Sequence, residues 1–149
     1  MNNHAQTVPS IPQLEDLARF RFELRSFLSF SEAASEACGI AAQQYQLLQV
    51  IGSAPADKLA SISYLAERMI LRHNSTVELV DRAERAGLVE RRNDATDLRR
   101  SVVFLTAHGW KMLEALVPLH LDELKRHGDE IIATLRALQH SQPEALREA

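Results

Sequence analysis

The chain has 149 residues, of which 46% are hydrophobic and 25% are charged, and this balance is typical of a globular domain with a buried core. The formal net charge of −3 excludes a protein that coats nucleic acid through charge alone, because such binding depends on neutralising phosphates. A single cysteine, Cys38, excludes an intrachain disulfide. There is no long apolar run, and residues 1–10 lack the basic and apolar regions of a signal peptide. We therefore expect a cytoplasmic protein that does not enter the membrane.

The positive charge is concentrated in one part of the chain. Fourteen of the 17 basic residues are arginines, and eight of these lie between Arg68 and Arg100. Arginine is better suited than lysine to bidentate contacts with phosphate and guanine. A GC-rich genome would also raise the arginine content, so composition alone leaves both explanations open. Any contact with DNA must be local, and the position of the arginines in the fold has to decide between a DNA contact and a compositional bias.

The first part of the chain predicts an arm and two helices. Residues 1–10 carry no periodicity and are expected to form a flexible arm. From Leu14 onward, apolar residues recur at helical spacing and predict a helix that ends at Gly39. Apolar residues occupy more than one side of this helix, which predicts that it also packs against a partner subunit. A second helix is predicted over about 41–52.

The next two predicted helices form a helix-turn-helix pattern. Ser61 is a suitable N-cap for a short helix over 62–69. After a turn of three or four residues, another helix begins near residue 73 or 74 and ends at Gly87. Two helices joined by so short a turn, the second with polar residues at its start, are typical of DNA-binding proteins.

A change to strand periodicity follows Gly87. Residues 88–92 and 101–105 are short segments rich in Val, Leu and Phe, and a polar loop over 93–100 separates them. This pattern predicts a two-stranded hairpin. A hairpin directly after a helix-turn-helix corresponds to the wing of a winged helix.

The last part of the chain predicts two helices. Thr106 is expected to cap a long helix that bends at Pro118 and is interrupted at Gly128, with a final helix over 129–140. The predicted fold is therefore mainly α with a small β-hairpin wing. Its winged helix-turn-helix lobe covers residues 39–105, dimerisation helices cover 11–38 and 106–140, and a tail covers 141–149.

The start of the second helix of the pair is predicted to read DNA. Such a turn enters the major groove, where free N–H groups and the positive end of the helix dipole favour anions and base acceptors. The candidate residues here are Arg72, His73, Asn74, Ser75 and Thr76, with Glu78 and Arg82 further along the helix. Alternatively, Asn74 or Ser75 only caps the helix, and Glu78 only pairs with a neighbouring arginine.

The loop of the hairpin supplies a second candidate contact. Four arginines, Arg91, Arg92, Arg99 and Arg100, cluster around Asp94 and Asp97. A basic hairpin tip can place an arginine in the minor groove while nearby acids orient it. The alternative is a solvated loop without a partner.

Four blocks of the sequence resemble the MarR family of bacterial transcriptional regulators. They are Leu65-Ala66-Glu67-Arg68, Leu79-Val80-Asp81-Arg82, Ala86 to Arg91, and Asp94 to Gly109, in which Asp97-Leu98-Arg99 stands where the family has Asp-Arg-Arg. The resemblance implies a homodimer with intertwined terminal helices and two winged lobes on a pseudo-palindromic operator. It also implies that Arg99 enters the minor groove and that Asp97 orients it. Many members repress transcription until a small, often aromatic, anion or an oxidant weakens DNA binding.

The resemblance also implies an effector site between the dimerisation helices and the DNA-binding lobe. Arg21 and Arg25 could hold a carboxylate there, and Phe22, Tyr45 and Trp110 could supply apolar walls. The alternative is that these residues are ordinary core aromatics and surface arginines.

Other forms of control and other classes of protein have weaker support. Cys38 has no adjacent base to activate its thiol and is expected to be an inert core residue. His120 and His127 could share a helical face, but they are expected to be solvated rather than to bind zinc. No metal or cofactor is expected. The chain has no Gly-rich phosphate loop, Gly-x-Ser-x-Gly elbow or His-Glu-x-x-His pair, so no enzyme is predicted. A winged helix that binds only a protein partner remains the competing interpretation.

Overall fold

The computed structural model describes residues 9–141. Of the predicted arm and tail, residues 1–8 and 142–149 lie outside the described residues. The elements in chain order are α1 (Ile11–Ala37), α2 (Ala42–Gly52), α3 (Ile62–Met69), α4 (His73–Arg85), β1 (Val89–Asn93), β2 (Ser101–Leu105) and α5 (Ala107–Gln139). The mainly helical fold with a hairpin wing is thus confirmed. None of the helices within this range is long and apolar enough to span a membrane.

The described residues divide into two compact units. One contains residues 31–120, and the other combines 9–30 with 121–141. The first unit holds a continuous apolar core, which includes Tyr45, Leu48, Leu65, Leu79, Leu88, Val103 and Leu116. Because each helix and strand of this unit contributes to one core, the helix-turn-helix and the hairpin are held as a single body.

The helix-turn-helix forms as the sequence predicts. Ser61 caps α3, since its Oγ accepts a hydrogen bond of 3.2 Å from the Tyr64 N–H. Leu65 of α3 and Leu79 of α4 are fully buried, so the apolar faces of the two helices meet in the core. Three residues, 70–72, separate α3 from α4.

The hairpin is antiparallel and is attached to the chain before α3. Val89 lies opposite Leu105 and Asn93 opposite Ser101. In addition, the Val103 N–H donates to the Ala60 carbonyl at 2.9 Å. This contact was not predicted from the sequence, because it joins residues that are more than forty positions apart.

One glycine permits the close contact between the start of α5 and the segment before β1. The Thr106 hydroxyl donates to the Gly87 carbonyl at 2.6 Å and accepts from the Gly109 N–H at 3.1 Å. A side chain at position 109 would overlap the Leu88 carbonyl oxygen. Thr106 therefore caps α5, as predicted, and also ties it to the turn that follows α4.

The predicted interruption at Gly128 is wrong, because α5 continues through it to Gln139. Glycine inside a helix costs only about 1 kcal/mol relative to alanine. The flanking segments, which include Leu124 and Leu135, keep the helical apolar spacing on both sides of it.

The expectation of a solvated His120 is also wrong. Its ring is buried, with Nδ1 at 2.7 Å from the Leu116 carbonyl oxygen and Nε2 at 2.8 Å from Ser31 Oγ. It packs against Tyr45 at a centroid distance of 4.5 Å. His127, in contrast, is exposed beside Glu123 and Glu130.

The turn between α3 and α4 contains a strained residue that gives a stability prediction. Ile70 has a φ of +54°, a left-handed conformation that is unfavourable for a β-branched side chain. We expect Ile70→Gly to raise the free energy of unfolding by about 1 kcal/mol, since relief of strain exceeds the added entropy of the unfolded chain. Urea denaturation measures this. Ile132→Gly, at an exposed position inside α5, should instead lower the free energy of unfolding, and equal losses at both positions would contradict the prediction.

Candidate nucleic-acid interface

The start of α4 presents a row of exposed polar side chains. Arg72 is the N-cap residue, with no side-chain hydrogen bond to the helix end. Arg72, His73, Asn74 and Ser75 are all exposed. The alternative in which Asn74 or Ser75 caps the helix is therefore wrong, because the helix has already begun at His73. The N–H groups of this first turn are not capped by a side chain, so they can bind an anion.

Thr76 must be removed from the predicted contact set. It is fully buried, and its hydroxyl donates to the Arg72 carbonyl at 3.0 Å. A buried hydroxyl with this partner stabilises the start of α4 and cannot reach a base. Residue type does not distinguish Thr76 from its exposed neighbours, but helical spacing does, because Thr76 lies three, four and seven residues before the buried Leu79, Val80 and Ala83.

Glu78 and Arg82 lie further along α4, and both are exposed. The expected pairing of Glu78 with a neighbouring arginine is not formed among the described residues. The two side chains therefore remain in the candidate set.

The wing loop is ordered by its two aspartates. Asp94 Oδ1 accepts hydrogen bonds of 2.9 Å from both the N–H and the hydroxyl of Thr96. Asp97 Oδ1 accepts one of 3.0 Å from the Arg99 N–H. Asp97 thus contacts Arg99 through the backbone and not through the guanidinium. The side chains of Arg99 and Arg100 are exposed, so the loop holds its shape while both cations face solvent.

Arg91 joins the wing to α4 and is not a free DNA contact. Its guanidinium forms an ion pair with Asp81 of α4. Its backbone N–H donates to the Glu84 carboxylate at 2.9 Å. These two contacts, which we call the Arg91 brace, fix β1 against the last turns of α4. Sequence reasoning missed the role of the two acids because they lie seven and ten residues before Arg91, across the turn at Gly87.

Arg92 is also engaged within the hairpin. Its guanidinium pairs with Glu90 and lies 4.6 Å from the centroid of the Phe104 ring. The side chain remains largely exposed, so it can contact DNA only by giving up or sharing these partners.

Of the five predicted effector residues, Tyr45 and Trp110 lie in the unit of residues 31–120, and Arg21, Phe22 and Arg25 lie in the other unit. Tyr45 is buried in the core, its hydroxyl accepts from Gln49 Nε2 at 3.1 Å, and burial raises its pKa. Trp110 is half-exposed and lines a cleft in the unit of residues 31–120. Phe22 lines a different cavity, together with three glutamates, Glu23, Glu123 and Glu130. Neither Arg21 nor Arg25 lines that cavity, whose acidic walls are unfavourable for a carboxylate.

Metal or redox control gains no new support from the geometry. Within residues 9–141, no group of three or more His, Cys, Asp or Glu side chains is placed to hold a metal ion. Cys38 is partly buried and packs against the core.

Asp94 gives a prediction for the pH dependence of the wing. Hydrogen bonds from the Thr96 backbone and side chain hold the pKa of Asp94 below its ordinary value. The Asp94 carboxylate therefore stabilises the folded loop fully at a pH above the ordinary pKa of an aspartate. This stabilisation is lost as the pH falls through the lowered pKa that Asp94 has in the folded protein. We expect the Thr96 amide to be protected from hydrogen exchange at a pH above the ordinary pKa of an aspartate, and to lose this protection as the pH falls below the lowered pKa of Asp94.

Asp94→Asn should remove this protection's pH dependence and weaken DNA binding several-fold. Asp129→Asn, at an exposed position of α5, is the matched control and should change neither. Unaltered exchange at Thr96 in the Asp94 variant would show that the carboxylate does not order the loop.

Comparisons with known proteins agree with this geometry. The family model described as "MarR family" matches residues 39–100. The transcriptional regulator HosA of Escherichia coli O127:H6 is 36% identical over 76 residues, which are 51% of this chain and 54% of HosA. The chain thus matches about half the length of this curated relative.

Solved structures extend the likeness beyond that segment. AbsC, a MarR family transcriptional regulator from Streptomyces coelicolor, has a TM-score of 0.72 at 22% identity and covers 80% of each chain. The S. aureus MepR–DNA complex has a TM-score of 0.58 at 26% identity and covers 84% of each chain. Together with the winged helix-turn-helix, these likenesses show that the chain has the fold of the solved MarR-type structures and that its residues 39–100 match the MarR family.

Proposed function

We propose that the protein is a sequence-specific DNA-binding regulator of transcription that acts in the cytoplasm as a repressor. The observation that carries this proposal is the Arg91 brace. It holds two exposed polar surfaces in one rigid lobe, the start of α4 and the tip of the wing. The MepR structure was solved with DNA, which supports the same partner for this chain.

The two surfaces suit different parts of a duplex. Asn74 and Ser75 can hydrogen-bond to base edges in the major groove, and the uncapped helix start and Arg72 can bind phosphate. Arg99 and Arg100 on the ordered wing loop can contact the adjacent minor groove. Of the sequence-predicted set, the proposal retains Arg72, His73, Asn74, Ser75, Glu78, Arg82, Arg92, Asp97, Arg99 and Arg100. It assigns Arg91 to the brace and Thr76 to the core.

We propose further that the protein acts as a homodimer. The unit of residues 9–30 and 121–141 exposes a series of large apolar side chains, among them Ile11, Leu14, Leu17, Phe22, Leu121, Leu124 and Ile132. So many exposed apolar side chains on two helices favour burial against a second copy. A dimer would place two reading lobes on half-sites about 34–36 Å apart, or a multiple of this distance.

Release by a small apolar anion is the third part of the proposal. The cleft beside Trp110 measures about 260 Å³ and is lined mainly by apolar residues, including Ile51 and Leu105. Lys58 is the one charged residue of its lining. The cleft lies between the loop that leads into α3 and strand β2 of the wing, so an occupant could alter the position of both.

Arg99→Ala tests the minor-groove contact. We expect weaker binding both to DNA from upstream of the protein's own gene and to unrelated DNA. The slope of log K against log salt concentration should fall by about one, which corresponds to the loss of one phosphate contact. Fluorescence anisotropy over a salt series measures both quantities. Arg126→Ala, at an exposed position of α5, is the control. If the Arg99 variant keeps the wild-type salt dependence, the wing does not bind DNA in this way.

Light scattering tests the dimer. The wild type should be a dimer at micromolar concentration, and Phe22→Glu should dissociate it because a charge would replace a buried apolar contact. Leu59→Glu, at an exposed apolar position outside the terminal helices, should leave the dimer intact. A wild-type monomer would disprove this part of the proposal.

The single tryptophan reports on the cleft. Benzoate should change the fluorescence of Trp110 and weaken DNA binding. Lys58→Met should raise the benzoate concentration that gives half of each effect at least five-fold. Lys111→Met is the control, because Lys111 is outside the lining of the cleft. Equal binding of benzoate and benzyl alcohol would exclude recognition of the anion.

A further inference from the structure

Isoleucine does not suit position 70, in the turn between α3 and α4, for two independent reasons. Its backbone is left-handed, with a φ of +54°, and this conformation favours glycine or asparagine. Its side chain is 91% exposed, the largest value among the exposed large apolar residues that the structure describes. Either feature alone is tolerable, but both together select against isoleucine.

Local folding does not need the Ile70 side chain. The turn is closed by backbone hydrogen bonds, from the Ile70 N–H to the Glu67 carbonyl at 3.3 Å and from the Leu71 N–H to the Ala66 carbonyl at 2.9 Å. The apolar contact that usually accompanies such a turn comes from Leu71, which packs against the core. Strain held at an exposed position is a reason to look for a partner outside the chain.

The surroundings of Ile70 identify the class of that partner. Arg68 and Arg72 lie two residues before and after it, both are exposed, and neither forms an ion pair among residues 9–141. An apolar side chain between two free cations suits a polyanion that also has apolar groups. DNA has both, since thymine methyls and deoxyribose rings lie next to phosphates.

We propose that Ile70 makes an apolar contact with DNA at the edge of the half-site, against a thymine methyl or a deoxyribose. The residue lies two positions before the exposed residues 72–75, which include the start of α4. The contact extends the surface assigned to base reading and rests on the proposed function. It fixes how far α4 lies along the groove without neutralising a phosphate.

The test is DNA binding by Ile70→Gly and Ile70→Asn, both of which suit the left-handed backbone. We expect about a five- to ten-fold loss of affinity for the upstream DNA, although the proteins are at least as stable as the wild type. The salt dependence should be unchanged, because no counterion is released by an apolar contact. Arg72→Gln is the matched comparison and should reduce both affinity and salt dependence.

Replacement of single thymines by deoxyuridine distinguishes the two apolar groups. If one replacement lowers the DNA affinity of the wild type but not that of Ile70→Gly, the contact is with the methyl group of that thymine. If no replacement lowers the affinity of the wild type, the contact is with a deoxyribose. Wild-type affinity in both Ile70 variants, with weaker binding by Arg72→Gln, would overturn the Ile70 contact and leave the proposed function intact. No binding of DNA by the wild type would overturn both. A change of oligomeric state in the Ile70 variants, without a change in DNA affinity, would assign the side chain to a protein contact instead.

Discussion

The contacts of Arg91 with Asp81 and Glu84 are the interaction on which the reading surface depends. The shared core and the Val103 N–H bond to the Ala60 carbonyl hold the hairpin in the lobe, and Arg91 adds a direct connection between the wing and α4. Here the backbone N–H and the guanidinium of Arg91 are both held by carboxylates of α4. Two contacts at different points of the helix fix direction as well as distance, so α4 and the wing can meet DNA as one surface.

The same logic resolves the conflict between a net negative charge and a nucleic-acid partner. Asp81, Glu84 and Asp94 are all engaged in hydrogen bonds or ion pairs within the lobe. Arg72, Arg99 and Arg100 remain exposed. These three acids therefore shape the surface while the three arginines face outward, and the local potential can be positive in a chain whose formal net charge is −3.

Local signals in the sequence were sufficient for most of the fold. Ser61, Gly87 and Thr106 each act within a few residues, as a cap or as a turn, and each is found where it was expected. Side-chain roles that depend on distant partners were not predictable. Thr76, in contrast, has a local signal, because it shares the helical spacing of the buried Leu79, Val80 and Ala83, although its residue type is the same as that of a DNA contact. His120 is buried because Tyr45 and Ser31, far away in sequence, cover its ring. Gly128 remains helical because neighbouring turns outweigh a small local cost.

Hydroxyl-radical footprinting of the wild-type protein on DNA from upstream of its own gene tests the central claim most directly. If α4 and the wing are held as one surface in a dimer, each half-site should show protection of the sugars that flank one major groove and of those in its adjacent minor groove. Two such half-sites should be related by symmetry and lie about one helical turn, or a multiple of it, apart. Protection without the minor-groove segments, or no sequence-specific protection, would contradict the account.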